Sequence, residues 1–257
     1  MIHSSAIVSP RAELGVEVEV GPCCVIGAGV RIGDRCTLHS HVVIDGSCEI
    51  GSGNEFYPFT SIGARSQDLK YGGEPTRARI GDRNVFREFV TLHRGTSPEA
   101  DTVVGSDNHF LAYAHVAHDS IVGNHCILSN AATLGGHVTV EDHVIISGLA
   151  GIHQFCRLGT HALIGGCTKI VQDVPPYLIA DGHPARLRGV NLVGLQRRGF
   201  PPESIRSLKA AYRALFLHKE ANLAGQLAAF ESSDHARDPQ VRTIIEFLRR
   251  TERGVVR

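Results

Sequence analysis

A six-residue beat runs through most of the chain and limits what it can fold into. Counting in sixes from Val8 gives Leu14, Val20, Ile26, Ile32, Leu38, Ile44, Ile50, Phe56 and Ile62. The beat returns in phase at Ile80, Phe86 and Leu92, and again from Val104 through Phe110, Val116 and Val122 to Ile170. Of the 28 positions from 8 to 170, 25 are large and apolar; Asp68, Glu74 and Pro98 are the exceptions. Those three fall in the polar stretches SQDLKYGGEPTRAR and GTSPEAD, read as excursion loops near 66–79 and 95–103.

A period of six is neither the 3.6 of a helix nor the 2 of an alternating strand. It is the period of a hexapeptide β-solenoid, in which each hexad gives one short strand and a corner. Three hexads close a triangular coil of 18 residues, and about eight coils stack, because no single coil can bury its own core. The expected fold is an all-β solenoid, a left-handed parallel β-helix over 1–185, with a C-terminal α-helical domain over 186–257; the handedness is what resemblance to hexapeptide-repeat proteins implies, since the general crossover preference is right-handed. Such flat-faced prisms commonly trimerise. The residue after the apolar position is often Gly (Gly15, Gly21, Gly81), expected to relieve the bend. The position two before it is usually small and holds five of the seven cysteines: Cys24, Cys36, Cys48, Cys126 and Cys156. They read as small buried hydrophobes, and no disulfide or metal role is expected for them.

After Pro175-Pro176 the beat stops. The stretches 189–199, 201–219, 221–233 and 239–250 read as helices, with Pro201-Pro202 marking a start. Residues 186–257 hold 14 of the 26 Lys and Arg but only 7 of the 26 Asp and Glu. That surplus suits an acidic partner or a phosphate-bearing ligand, or simply a solvated helix face. No apolar run approaches the roughly 18 residues of a membrane helix. No signal peptide is evident at the start, and a cytoplasmic protein is the expectation. No nucleic-acid partner is expected.

The chemistry concentrates in AHVAHDSIVGNH, residues 114–125. Residues 18 apart stack one strand spacing apart, about 4.8 Å. His118, Gly136 and Gln154 then form one column, Asp119 and His137 the next, with His115 and His153 beside them. His115 and His118 are three apart and point to opposite faces of a straight strand, which disfavours a shared ion. No H-x-x-x-x-H pair occurs, although a metal at an interface stays open. No G-x-S-x-G elbow supplies a nucleophile. A general base remains: His118 held in one tautomer by Asp119, with the Gly136 N–H facing a developing oxyanion. Packed surface histidines are the plainer alternative.

The motifs SIG..SQDLKYGGEPT, IGDRN..RE.VTLHRGT, AHVAHDS.VGN, CILSN.ATL.GHV, HQF, QDVPPY and NLVGLQRRGF carry a further reading. In them the chain resembles the UDP-N-acetylglucosamine O-acyltransferase family, which performs the first step of lipid A synthesis in Gram-negative bacteria. The likeness extends over essentially the whole chain. It implies a homotrimer with sites between subunits. It also implies transfer of a (3R)-3-hydroxyacyl chain from acyl carrier protein to the 3-hydroxyl of UDP-N-acetylglucosamine. No cofactor is implied beyond the carrier's own 4'-phosphopantetheine, and no metal. By resemblance His118 is the base, Asp119 its orienter and Gly136 the oxyanion donor. Asp68 and Lys70 match the family's ligand-contacting pair. His115, His137 and Gln154 match sugar-nucleotide contacts, with His153 in the same patch. Asn191, Arg197 and Arg198 match the segment reaching the nucleotide from an adjacent subunit. Val193 stands where an acidic residue is usual, and Gly166 matches the position that measures acyl length. The alternatives are N-acyl transfer to a 3-amino sugar nucleotide, a zinc-dependent solenoid of the carbonic anhydrase kind, and a solenoid without chemistry.

Overall fold

The computed structural model describes residues 1–217 and 222–257. Twenty-five short strands, Ile7–Val8 through Lys169–Ile170, each contain one of the 25 apolar beat positions. They wind into a left-handed parallel β-helix with three flat sheets. The first face runs in nine strands from Ile7–Val8 to Lys169–Ile170. The second has eight, from Glu13–Leu14 to Arg157–Leu158. The third continues past Leu163–Ile164 into Leu178–Asp181 and the antiparallel Arg186–Val190. We call the corner from first to second face the first edge, from second to third the second edge, and from third back to first the third edge.

Beat residues fill the bore: Phe56, Phe86 and Phe110 are fully buried and stack 4.9 and 4.7 Å apart. Cys24, Cys36, Cys48, Cys126 and Cys156 are buried beside them as free thiols. Partners are normally 18 apart, as in Val116↔Leu134. Ile62 pairs with Leu92 and Leu92 with Val116, spacings of 30 and 24. The two loops therefore add 12 and 6 residues, whole hexads, which is why the beat survives them. They span 65–76 and 94–101. Residues 77–79 and 102–103 belong to the strands Arg77–Ile80 and Thr102–Val104, because their backbone pairs with the coils on either side.

The role expected of the repeat glycines differs from the observed one. The left-handed backbone falls two residues later, at non-glycine positions such as Glu17, His41, Asp119 and His137. Gly21 and Gly81 are needed for closeness instead. A Cβ on Gly21 would meet His39 O at 2.7 Å, and one on Gly81 would meet Gly105 O at 2.7 Å.

Four α-helices follow among the described residues: α1 Leu192–Arg197, α2 Pro202–Phe216, α3 Leu223–Phe230 and α4 Pro239–Arg249. The first is shorter than the sequence suggests, because Gly189 and Val190 extend the antiparallel strand. Of the expected helix 201–219, residues 218–219 lie outside the described residues, as does 221 of the next. Asn191, Asn222 and Asp238 cap α1, α3 and α4 through side-chain oxygens. Leu208, Leu215, Val241 and Ile244 bury a second core against Tyr177 and Leu178. The C-terminal strap then returns to the solenoid: Val256 N–H donates to Asp173 O at 2.9 Å, and its side chain joins the prism core.

Candidate functional site

Both loops leave from the first edge, between a first-face and a second-face strand. His118, Asp119, Gly136, His137, Gln154 and Phe155 occupy that same edge in the coils that follow. The insertions are thus stacked against the histidine column.

His118 Nδ1 lies 2.7 Å from Asp119 Oδ2, in a pocket that leaves the carboxylate side chain 2% exposed. A carboxylate at that distance holds the proton on Nδ1 and leaves Nε2 as the lone-pair nitrogen. Asp119 Oδ1 accepts from Thr96 N–H at 2.8 Å, and Asp119 N–H donates to Thr102 Oγ1 at 2.8 Å. Burial alone would raise the Asp119 carboxyl; hydrogen bonds from His118 and Thr96 outweigh it, and the net shift is downward. His137 Nε2 is 3.5 Å from the same carboxylate, and its ring stands edge-on to His118 with centroids 5.4 Å apart. Phe155 backs His137 in a stack at 4.7 Å.

Gly136 lies directly over the His118 ring. A Cβ there would sit 2.8 Å from Nε2 and 2.5 Å from Cε1, so only glycine lets the two approach this closely. Among the described residues no acceptor within the chain takes the Gly136 N–H. The same corner position elsewhere holds Pro10, Pro22 and Pro58, residues with no N–H to satisfy.

His115 lies on the first face, its Nδ1 2.7 Å from Thr91 Oγ1. Burial, reinforced by the His93 and His118 charges, pushes its pKa down to about 4, so it is neutral at pH 7. A cleft of about 440 Å³ opens between the first loop and this face, lined by Arg65, Asp68, Leu69, Tyr71 and His93 among others. Asp68 Oδ1 accepts the Lys70 N–H at 2.8 Å, and Lys70 itself is exposed. His153 and Gln154 are exposed one coil beyond Gly136, with Arg253 3.5 Å from His153 Nδ1.

Asp68, His118 and His137 offer ligand atoms that all lie within 4.8 Å of one another. Zinc bonds near 2.1 Å require donors about 3.4 Å apart at a tetrahedral site. Separations within 4.8 Å admit that spacing and equally suit an open acid–base cluster.

Four expected residues lie elsewhere. Gly166 sits on the third edge, exposed, with open space where a side chain would be apart from Gly148 O at 3.5 Å. Asn191 is on the second edge, its amide donating to His161 O at 3.0 Å. Arg197 closes α1. Arg198, the C-cap residue, is near enough to His143 and His161 to add to the burial that depresses both. One chain therefore presents the expected residues on three separate edges. The sequence reading missed Ser66, Thr91, Thr96 and Thr102, all of which touch the cluster or its loops. A coil count could have found the loop members, since Ile62, Leu92 and Val116 all precede the first edge.

Comparison with known proteins follows the same lines. Residues 173–256 match the family model described as UDP N-acetylglucosamine O-acyltransferase, domain 2. The chain is 46% identical over its whole length to an acyl-[acyl-carrier-protein]--UDP-N-acetylglucosamine O-acyltransferase of Burkholderia lata, of which it covers 99%. Among solved structures it is similar to a UDP-N-acetylglucosamine acyltransferase from Bacteroides fragilis, at 38% identity and TM-score 0.97 with both chains fully covered. An Arabidopsis UDP-N-acetylglucosamine acyltransferase matches at 34% identity and TM-score 0.89, again with both chains fully covered. Solenoid, helical tail and histidine edge together place this chain in the UDP-N-acetylglucosamine O-acyltransferase family.

Proposed function

We propose that the protein transfers a (3R)-3-hydroxyacyl chain from acyl carrier protein to the 3-hydroxyl of UDP-N-acetylglucosamine, the first step of lipid A biosynthesis. The observation that carries this reading is the buried His118–Asp119 pair with Gly136 laid over its ring. His118 Nε2 takes the proton of the acceptor hydroxyl as its oxygen attacks the thioester carbon. The Gly136 N–H donates to the oxyanion. The C–S bond then breaks, and the leaving phosphopantetheine thiolate takes from His118 the proton that came from the acceptor hydroxyl. The enzyme forms no covalent intermediate and contributes position, a base and an oxyanion donor. Asp68 and Lys70 hold ligand from the first loop. His115, His137, His153 and Gln154 line the sugar-nucleotide path. The carrier's 4'-phosphopantetheine is the only prosthetic group involved, and no metal takes part.

Residues 1–185 carry the chemistry and 186–257 the nucleotide-facing segment and the basic surface for an acidic carrier. We place the reaction in the cytoplasm, between the subunits of a homotrimer. Two features support the trimer. Asn191, Arg197, Arg198 and Gly166 lie on edges away from His118, where only another copy can bring them to it. The third edge also carries a solvent-facing ring stack: His41, Phe59, Phe89 and Tyr113 follow one another at 4.9, 5.0 and 4.8 Å. Phe59, Phe89 and Tyr113 are 50, 40 and 60% exposed, a ridge that a neighbouring prism would cover.

Mass spectrometry of products from defined acyl carrier proteins and UDP-sugars tests the reading. It expects an ester on the 3-hydroxyl of UDP-N-acetylglucosamine. Exclusive acylation of a 3-amino sugar nucleotide would replace the acceptor, and no acyl transfer at all would refute the function.

A further inference from the structure

The loop 94–101 brings one residue onto the His118–Asp119 pair. Thr96 donates its backbone N–H to Asp119 Oδ1 at 2.8 Å. Its Oγ1 is 3.0 Å from His118 Nδ1 and 2.7 Å from Ser66 Oγ. Ser66 belongs to the other loop, is 3% exposed, and accepts the Asp68 N–H at 3.1 Å. A continuous set of contacts thus runs from Asp68 through Ser66 and Thr96 to His118, across both insertions.

The proton on His118 Nδ1 follows from charge. Were Nδ1 bare, its lone pair would face the Asp119 carboxylate at 2.7 Å, two acceptors in contact. Nδ1 therefore carries the proton and shares it between Asp119 Oδ2 and Thr96 Oγ1. Either hydroxyl can donate in the Thr96–Ser66 bond, and Ser66 Oγ also accepts from Asp68 N–H. The relay from Nδ1 through Thr96 Oγ1 to Ser66 Oγ holds with either hydroxyl as donor.

We propose that Thr96 is a positioning residue for the transfer reaction. Its contact with Ser66 ties the loop carrying Asp68 to the imidazole, so that acceptor binding and base orientation are coupled. This rests on the reading of His118 as the base. Thr96→Val removes the hydroxyl while keeping both the β-branched shape and the N–H to Asp119. The expected result is a kcat lower by about tenfold or more, the usual scale for an outer partner of an oriented imidazole, with KM for UDP-N-acetylglucosamine within about twofold. Thr96→Ser restores kcat. Ser66→Ala raises KM severalfold, and the double variant Ser66→Ala/Thr96→Val loses less than the product of the two single effects.

Three results overturn the proposal: a Thr96→Val enzyme with wild-type kcat, a Thr96→Ser enzyme as poor as Thr96→Val, or single effects that simply multiply. Should the valine variant not fold, the serine variant and Ser66→Ala still decide it. An active wild type with an unimpaired Thr96→Val sinks only the relay. A wild type inactive on every acyl-carrier donor sinks the functional reading beneath it.

Discussion

Asp119 binds three neighbours with two carboxylate oxygens: Thr96 N–H on Oδ1, and His118 with the more distant His137 on Oδ2. Replacing it with Asn puts an amide that can present N–H where the carboxylate accepts, and the imidazole proton then moves to Nε2. Asp119→Asn is expected to lower kcat by two orders of magnitude or more with the fold retained, as circular dichroism and steady-state kinetics would show. Gly136→Ala acts on the same ring by contact alone. Its Cβ would sit 2.8 Å from Nε2, so turnover should fall at least tenfold while the melting temperature changes little. A Gly136→Ala enzyme with normal turnover would show that the ring has room to move. Of this site the sequence made the histidine column legible, since residues 18 apart had to stack. The coil count places the loops holding Thr96 and Ser66 on the histidine edge, but no period says which of their side chains lands on the imidazole.

At the scale of the element, the second edge holds two features with stability consequences. Asn54, Asn84 and Asn108 form a buried ladder: Asn84 Nδ2 donates to Asn54 Oδ1 at 3.0 Å, and Asn108 Nδ2 to Asn84 Oδ1 at 2.9 Å. Asn84→Ala strands the Asn108 N–H groups away from water and should cost about 2 kcal/mol or more in denaturant unfolding. Above the ladder His125, His143 and His161 stack at 4.8 and 4.6 Å. Burial, with His143 and Arg198 adding their charges, pushes His161 down to about 4. The fold favours its neutral form, so the unfolded chain binds more protons on acidification. Stability from this group is complete above about pH 6.5 and is lost as pH falls towards 4. Melting temperatures across that range should drop, and His161→Gln should lessen the drop. The strands themselves were readable residue by residue because the bore admits one large side chain per hexad. The repeat glycines were misread: they permit close approach of coils, and the left-handed turn two residues later is taken by ordinary side chains.

For the whole molecule, the loops 65–76 and 94–101 lengthen their coils by 12 and 6 residues, whole hexads that keep the prism straight while adding to one edge only. The proposed trimer would cover the ring stack on the third edge and bring the separated site residues together. Phe89→Glu is expected to convert a sedimenting trimer to smaller species and to abolish transfer together with it; an active monomer would contradict a site shared between subunits. Treatment with a strong chelator should leave turnover unchanged, because the proposed chemistry draws only on the His118–Asp119 base and the Gly136 N–H. Stoichiometric metal lost together with activity would reverse that view. The prism was visible in the sequence through its beat, and the second core through Pro202 and the apolar spacing of α2 and α4. The strap that carries Val256 back into the first core was not, since a single long-range contact leaves no local pattern.

The most direct measurement is the turnover of His118→Ala with acyl carrier protein donor and UDP-N-acetylglucosamine. A general base of this kind supplies roughly 10²- to 10⁴-fold. A folded variant with the wild-type oligomeric state and kcat reduced by that factor is the expected result, and a variant retaining near-normal kcat would contradict the mechanism.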